Sequence, residues 1–154
     1  MELTATSGFR RYQGGFYRTL IHPEQTNGDI ALLEFTLPAG GEPPLHVHHE
    51  EDESFVVLEG NIRLQVGDVV TELGPGDAAF APRKIPHAFR ILTPAAKLLN
   101  LITPGQLSGF FEEFSTPLEG EPSIAPPQAP DMEAIGKMLQ TITQRYNVHF
   151  LETK

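Results

Sequence analysis

The stretch Gly40-Gly41-Glu42-Pro43-Pro44-Leu45-His46-Val47-His48-His49-Glu50-Glu51-Asp52-Glu53-Ser54-Phe55-Val56-Val57-Leu58-Glu59-Gly60 decides how the rest of the chain is read. Pro43 and Pro44 disfavour helix, so Leu45 to His48 is short and extended. Side chains alternate between the faces of a strand, which puts His46 and His48 on one face and Val47 on the other. Two imidazoles on one rigid strand can share one ion, and neutral imidazole is a common ligand of first-row transition metals. Glu53 lies an odd number of positions from His48, so plain alternation would turn it away. The intervening His49-Glu50-Glu51-Asp52 must bend, as a solvated acidic segment, and a bend resets the parity. From Glu53 onward the inward set is then Phe55 and Val57. Spacing alone leaves two readings open, a metal site and a group of hydrogen-bonded structural histidines.

A second stretch, Gly76-Asp77-Ala78-Ala79-Phe80-Ala81-Pro82-Arg83-Lys84-Ile85-Pro86-His87-Ala88-Phe89, brings His87 from a different strand, with Phe89 and Ile91 on its face. Outward from these stretches the chain is punctuated by glycine and proline, 14 of each. The punctuation separates short apolar segments at fairly regular spacing, the pattern of an all-β sandwich or barrel. Strands are expected at Gly15 to Ile21, Ile30 to Leu37, Leu45 to His48 and Glu53 to Leu58. Further strands are expected at Ile62 to Val66, where Ile62, Leu64 and Val66 alternate with Arg63 and Gln65, and at Val69 to Leu73, Ala78 to Ala81, Ile85 to Leu92 and Lys97 to Thr103. After Gly105 the character changes. Leu107 to Phe114 carries three phenylalanines and reads as helical. Thr116 to Pro130 is a proline-rich connector. Asp131 is an N-cap for a helix over about 131–146 whose apolar residues Ile135, Met138, Leu139, Ile142 and Tyr146 form one stripe, expected to pack on the barrel or on a second subunit.

The totals exclude several classes. At 154 residues the chain has the size of one domain, and 40% hydrophobic with 20% charged residues is ordinary for a globular protein. A net charge of −9 repels phosphate backbones and anionic bilayers, so neither nucleic acid nor membrane is an expected partner. The absence of cysteine removes disulfides, thiolate ligands and thiol catalysis. No apolar run approaches the roughly 20 residues of a membrane span. Met1 to Ser7 lacks a basic segment followed by an apolar core, so no signal peptide is expected and the cytoplasm is the default location.

The two motifs resemble those of the cupin superfamily. Gly40, His46, His48, Glu53 and Gly60 meet every position of the first family motif. In the second, Gly76, Pro82 and His87 match, while Lys84 stands in place of a glycine and Ile91 in place of an asparagine. The resemblance implies an all-β fold, a single jelly-roll barrel of two packed antiparallel sheets with a C-terminal amphipathic helix. Residues 1–105 would form the barrel, with motifs at 40–60 and 76–91, and residues 106–154 a C-terminal extension. It also implies one divalent transition metal held by His46, His48, Glu53 and His87. Such a donor set is typical of iron, manganese, nickel, cobalt or copper, more than of zinc in its closed tetrahedral sites. Cupins commonly dimerise, so a homodimer is expected.

The walls then set the chemistry. Phe55, Phe80, Phe89 and Leu101 are expected to line an apolar pocket, with Phe35, Leu64 and Leu99 as further candidates, and Phe110 and Phe111 to close its mouth. Such a pocket suits a small apolar or aromatic substrate and gives an anion no cationic clamp. A short cupin with this first motif and a phenylalanine- and proline-rich tail is similar to bacterial quercetin 2,3-dioxygenase-like proteins. In those, a flavonol binds the metal through its 3-hydroxyl and dioxygen cleaves the heterocycle with loss of carbon monoxide. Glu53 would then be both ligand and catalytic proton acceptor. Two other readings stay open: a non-catalytic metal-dependent binding or sensing cupin, and a non-redox isomerase or decarboxylase.

Overall fold

The computed structural model describes residues 8–151. The signal-peptide reading of Met1 to Ser7 lies outside that range, as do the outermost ends of the two expected segments. Among these residues, twelve strands and two α-helices follow in chain order. The strands are β1 (Arg10–Tyr12), β2 (Gly15–Ile21), β3 (Ala31–Pro38), β4 (His46–His48), β5 (Asp52–Glu59) and β6 (Ile62–Val66), then β7 (Val69–Leu73), β8 (Ala78–Ala81), β9 (His87–Ile91) and β10 (Ala95–Thr103). Helix α1 (Ser108–Glu113), β11 (Thr116–Pro117), α2 (Met132–Tyr146) and β12 (Val148–Phe150) complete the order. Every strand expected from the turn pattern is present within a few residues. The short strands β1, β11 and β12 were not foreseen, because three residues or fewer give no alternation to read.

The strands form two antiparallel sheets rather than one closed barrel, a jelly-roll sandwich. One has seven strands in the order β11-β1-β2-β3-β10-β5-β8, the other five in the order β12-β4-β9-β6-β7. The core lies between them. On β10, Ala96, Leu98, Asn100 and Ile102 are buried while Lys97, Leu99 and Leu101 alternate to the other side. Leu33 and Phe35 of β3, Phe55 and Val57 of β5, and Ile62 and Leu64 of β6 supply the facing apolar surfaces. Gly60 turns β5 into β6 at a φ of +81°, and a Cβ there would lie 2.5 Å from the Ala95 carbonyl oxygen, so no side chain fits.

The C-terminal extension is woven into both sheets. β11 pairs with β1, and β12 pairs with β4. Between them runs α2, which starts where Asp131 accepts hydrogen bonds from the Glu133 and Ala134 amides and ends at Asn147 in the left-handed region. Its apolar stripe faces its own sandwich: Ile142 is buried, and the Tyr146 ring meets Phe110 of α1 at 5.9 Å. Among the described residues no helix is long and apolar enough to cross a membrane.

The loop before β9 carries local strain. Lys84 sits at a φ of +67°, where its amide donates to the His48 carbonyl at 2.7 Å. This is the position where the family motif has glycine, and the left-handed backbone explains that preference. Lys84→Gly should therefore stabilise the protein by about 0.5–1 kcal/mol, part of the relief being offset by the freer unfolded chain. Urea unfolding would show a higher midpoint at unchanged slope, and a lower midpoint would refute the strain.

Candidate metal centre

Three strands deliver four donors to one point. β4 carries His46 and His48 on the inward face, as alternation requires. β9 runs beside it with His46 opposite His87, so the third imidazole comes from the neighbouring strand. β5 lies in the other sheet, where Glu53 is held between Ile102 of β10 and Ala81 of β8. The bend after His48 resets the parity, and Glu53, Phe55 and Val57 all face inward.

The four side chains are 6%, 3%, 4% and 2% exposed for His46, His48, Glu53 and His87. Ligand atoms from all four lie within 4.8 Å of one another. The His48 and His87 rings lie 5.1 Å apart and are nearly parallel, and His46 sits 4.9 and 4.5 Å from them. Two rings are fixed from behind. His46 Nδ1 donates to the Pro44 carbonyl at 2.7 Å, and His48 Nδ1 bonds Glu51 Oε1 at 2.7 Å. Such partners set the tautomer and leave Nε2 free for a metal. Glu53 Oε2 lies 2.8 Å from His87 Nε2 and 3.3 Å from His48 Nε2. Neither approach has hydrogen-bond geometry: His48 Nε2 and both His87 nitrogens are buried without a hydrogen-bond partner. Buried polar atoms are rarely left so, and His48 Nε2 and His87 Nε2 both face the Glu53 carboxylate at the point where the four donors meet.

The electrostatics agree with a site built for a cation. Burial would raise the Glu53 carboxyl, but His48, then His87, outweigh burial and hold it well below the usual carboxylate range. Burial likewise opposes charge on His48, yet Glu53 and the hydrogen-bonded Glu51 raise it to about 10. Burial, with His87 and His48 as like-charged neighbours, pushes His46 down to about 4. Three imidazole nitrogens and one carboxylate oxygen, two of the rings braced from behind, fit a divalent transition metal.

The donors lie in a cavity of about 240 Å³ between the sheets and α2. Phe55, Phe89, Phe110 and Phe111 line it, as do Phe35 and the apolar stripe of α2. Phe80 and Leu101 do not, which corrects the expected pocket wall. Phe80 pairs with Ser54, on the outward face of β5 and β8, and is 56% exposed. Leu101 also pairs with Ser54 and alternates with buried Asn100 and Ile102, so it points out. Leu99 shares that outward parity, and Leu64 is core without reaching the cavity. Glu51 corrects the solvated reading of the acidic bend: it is 4% exposed and braces His48. Asp52, at the start of β5, accepts from the Arg83 amide and guanidinium. Asn100 and Tyr12 are cavity residues that strand periodicity did not reveal. Asn100 interrupts an apolar run, a signal that was available.

A family model described as a cupin domain matches residues 33–101, which include all four donors. The chain is 26% identical over 113 residues to quercetin 2,3-dioxygenase of Bacillus subtilis, a match that covers 73% of this chain and 34% of that protein. It is 32% identical over 75 residues to an uncharacterised protein of Methanocaldococcus jannaschii, covering 48% of this chain and 60% of the other. The chain thus spans about a third and three fifths of these two relatives. Among solved structures, KdgF from a Halomonas species superposes with a TM-score of 0.59 at 20% identity, covering 67% of this chain and 93% of that one. An RmlC-like cupin from Shewanella frigidimarina gives 0.58 at 20% identity, covering 71% and 93%. At these identities the structural likeness speaks for the fold alone. The two-sheet fold, the buried donor set and the family model matched over residues 33–101 together identify that stretch as a cupin domain.

Proposed function

We propose that the chain is a metal-dependent oxygenase of the quercetin 2,3-dioxygenase type, acting on a flavonol or a related enolisable aromatic. The observation that carries this reading is the buried three-histidine, one-carboxylate set in an aromatic cavity whose lining, among the described residues, contains no lysine or arginine. A polyanionic substrate would find no cation there beyond the metal, which disfavours a decarboxylase or isomerase of small acids. The distant likeness to a quercetin 2,3-dioxygenase supports the same choice.

His46, His48, Glu53 and His87 would hold one divalent metal. Bound there, such an ion supplies Lewis-acid polarisation and, if redox-active, a route for dioxygen. The chain's own residues do the rest. Glu53, whose Oε1 lies beside Asn100 and whose Oε2 faces the imidazoles, accepts the proton of the ligand's hydroxyl on one carboxylate oxygen. Glu51 keeps the His48 ring turned so that Nε2 faces the centre. The rings of Phe35, Phe55, Phe89 and Phe111 give a flat ligand faces and edges to pack against. Helix α2 roofs the cavity with Met138, Leu139 and Ile142 and keeps bulk water away from the reacting atoms.

Purified protein loaded in turn with iron, manganese, nickel, cobalt and copper should bind one equivalent per chain. His48→Ala and His87→Ala should abolish that binding. Glu51→Gln should weaken it about 10- to 100-fold by releasing the His48 ring. Metal analysis and titration calorimetry read all three, and an unchanged affinity in His87→Ala would remove the proposed centre. Loaded protein given quercetin should consume one dioxygen for each carbon monoxide released, and Glu53→Gln should stop turnover while quercetin still binds. Tight binding with no product under any of the five metals would replace the oxygenase by a binding or sensing cupin.

A further inference from the structure

Outside the four-residue metal centre, each polar side chain of the cavity beneath its rim has a hydrogen-bond partner among the described residues except one. His46 is tied to the Pro44 carbonyl and His48 to Glu51. Glu42 accepts from the Gly40 and Ile91 amides, closing the loop between β3 and β4. Asn100 Nδ2 donates to Glu53 Oε1 at 3.4 Å, and its Oδ1, though unpartnered, is sealed within the core. His87 and Glu53 belong to the metal centre. At the rim, Gln13 donates to Met138 Sδ. The remaining group is the hydroxyl of Tyr12, which lines the same cavity, makes no hydrogen bond among the described residues and is not sealed from solvent.

The ring that carries this hydroxyl is immobilised. It meets Tyr17 edge-on at 6.1 Å, Phe35 at 5.9 Å and Phe111 at 5.4 Å. Tyr17 has spent its own hydroxyl on Ser115, so it offers Tyr12 a packing surface and no partner. Burial, and secondarily the neighbouring Tyr17, raise the Tyr12 phenol above its ordinary value, so near neutrality it is a hydrogen-bond donor. A fixed donor without a partner, in a wall otherwise apolar, is the arrangement by which small-molecule sites set orientation.

We propose that Tyr12 is a specificity-determining residue: its hydroxyl donates to a second, uncharged oxygen of the ligand, remote from the oxygen that the metal takes. The ligand class is thereby narrowed to flat aromatics with two polar ends, a metal-binding hydroxyl at one and a neutral hydroxyl or carbonyl at the other. Among the described residues the lining holds no lysine or arginine, which disfavours a carboxylate or phosphate at that second end. This rests on the flavonol reading above and deepens it.

The test pairs two flavonols with one atom of the protein. Quercetin carries hydroxyls on its outer rings, whereas 3-hydroxyflavone has only the 3-hydroxyl and 4-carbonyl pair. Both are titrated under anaerobic conditions into cobalt-loaded wild type and cobalt-loaded Tyr12→Phe, with flavonol absorbance as readout. The substitution removes a single oxygen, and metal content and the unfolding midpoint should be unchanged. Quercetin should lose about three- to tenfold in affinity, the range of one neutral hydrogen bond, while 3-hydroxyflavone stays within about twofold. Equal loss for both ligands, or loss for neither, overturns the role of Tyr12 and leaves the metal centre and flavonol reading standing. Failure of both flavonols to bind the loaded wild type overturns the flavonol reading and this inference together.

Discussion

The structure depends on keeping one ionised carboxylate, Glu53, in a place almost closed to water. At 4% exposure its desolvation would cost several kcal/mol if nothing answered its charge. The answer comes from two strands of the opposite sheet, β4 and β9, whose imidazoles surround it. This makes the sheet-to-sheet register a chemical requirement as well as a packing one. A slip of β4 or β5 by one residue would turn its ligands to the outer face. The apolar neighbours Phe55 and Val57 on β5 point the same way as Glu53, so hydrophobic burial and ligand placement favour one register together.

How far this was legible in the sequence depended on whether parity could be counted. His46 and His48 are two apart on a proline-preceded strand, and their shared face follows from geometry. His87 and Glu53 follow once the turn residues bound β9 and β5. The site was thus readable because its ligands sit on short strands with clear starts. Parity failed on β10, where six apolar residues among nine hide which set faces in. Placing Leu99 and Leu101 inward would turn the polar Asn100 outward, yet it is buried beside the Glu53 carboxylate, and Leu99 and Leu101 are outside instead. Phe80 failed for another reason. On β8 the inward positions are the small Ala79 and Ala81, so the largest side chain is the outward one, against the usual bias for burying aromatics.

Glu51 and Tyr12 were illegible for a third reason. Each owes its place to contacts distant in the chain or to a bend whose dihedrals no pattern encodes. Glu51 lies in an acidic run that by composition belongs in solvent, and only the turn that aims Glu53 inward also carries it under His48. Tyr12 is on a three-residue strand held between β2 and β11, and its neighbours Phe35 and Phe111 come from β3 and α1. Charge and alternation describe a residue's own strand, whereas these two residues are defined by what other strands bring to them.

The C-terminal extension follows from the same constraint. β4 is three residues long and, without β12, would be the edge of its sheet, with backbone groups beside the ligands open to water. β12 closes that edge, placing Val148 opposite His48 and Phe150 opposite His46, with the Phe150 and His46 rings 5.7 Å apart. Hydrogen bonds from the His49 amide to the Asn147 carbonyl and from the Leu151 amide to the Leu45 carbonyl extend the clamp past both ends of β4. Asn147, the left-handed turn between α2 and β12, also donates from its side chain to Glu50. The roof of the cavity and the strand that carries two of its donors are therefore one connected unit. Helix α2 cannot swing clear of the cavity without working against the hydrogen bonds that hold β4 in register, so the space above the donors and the geometry of the donors are set by the same contacts.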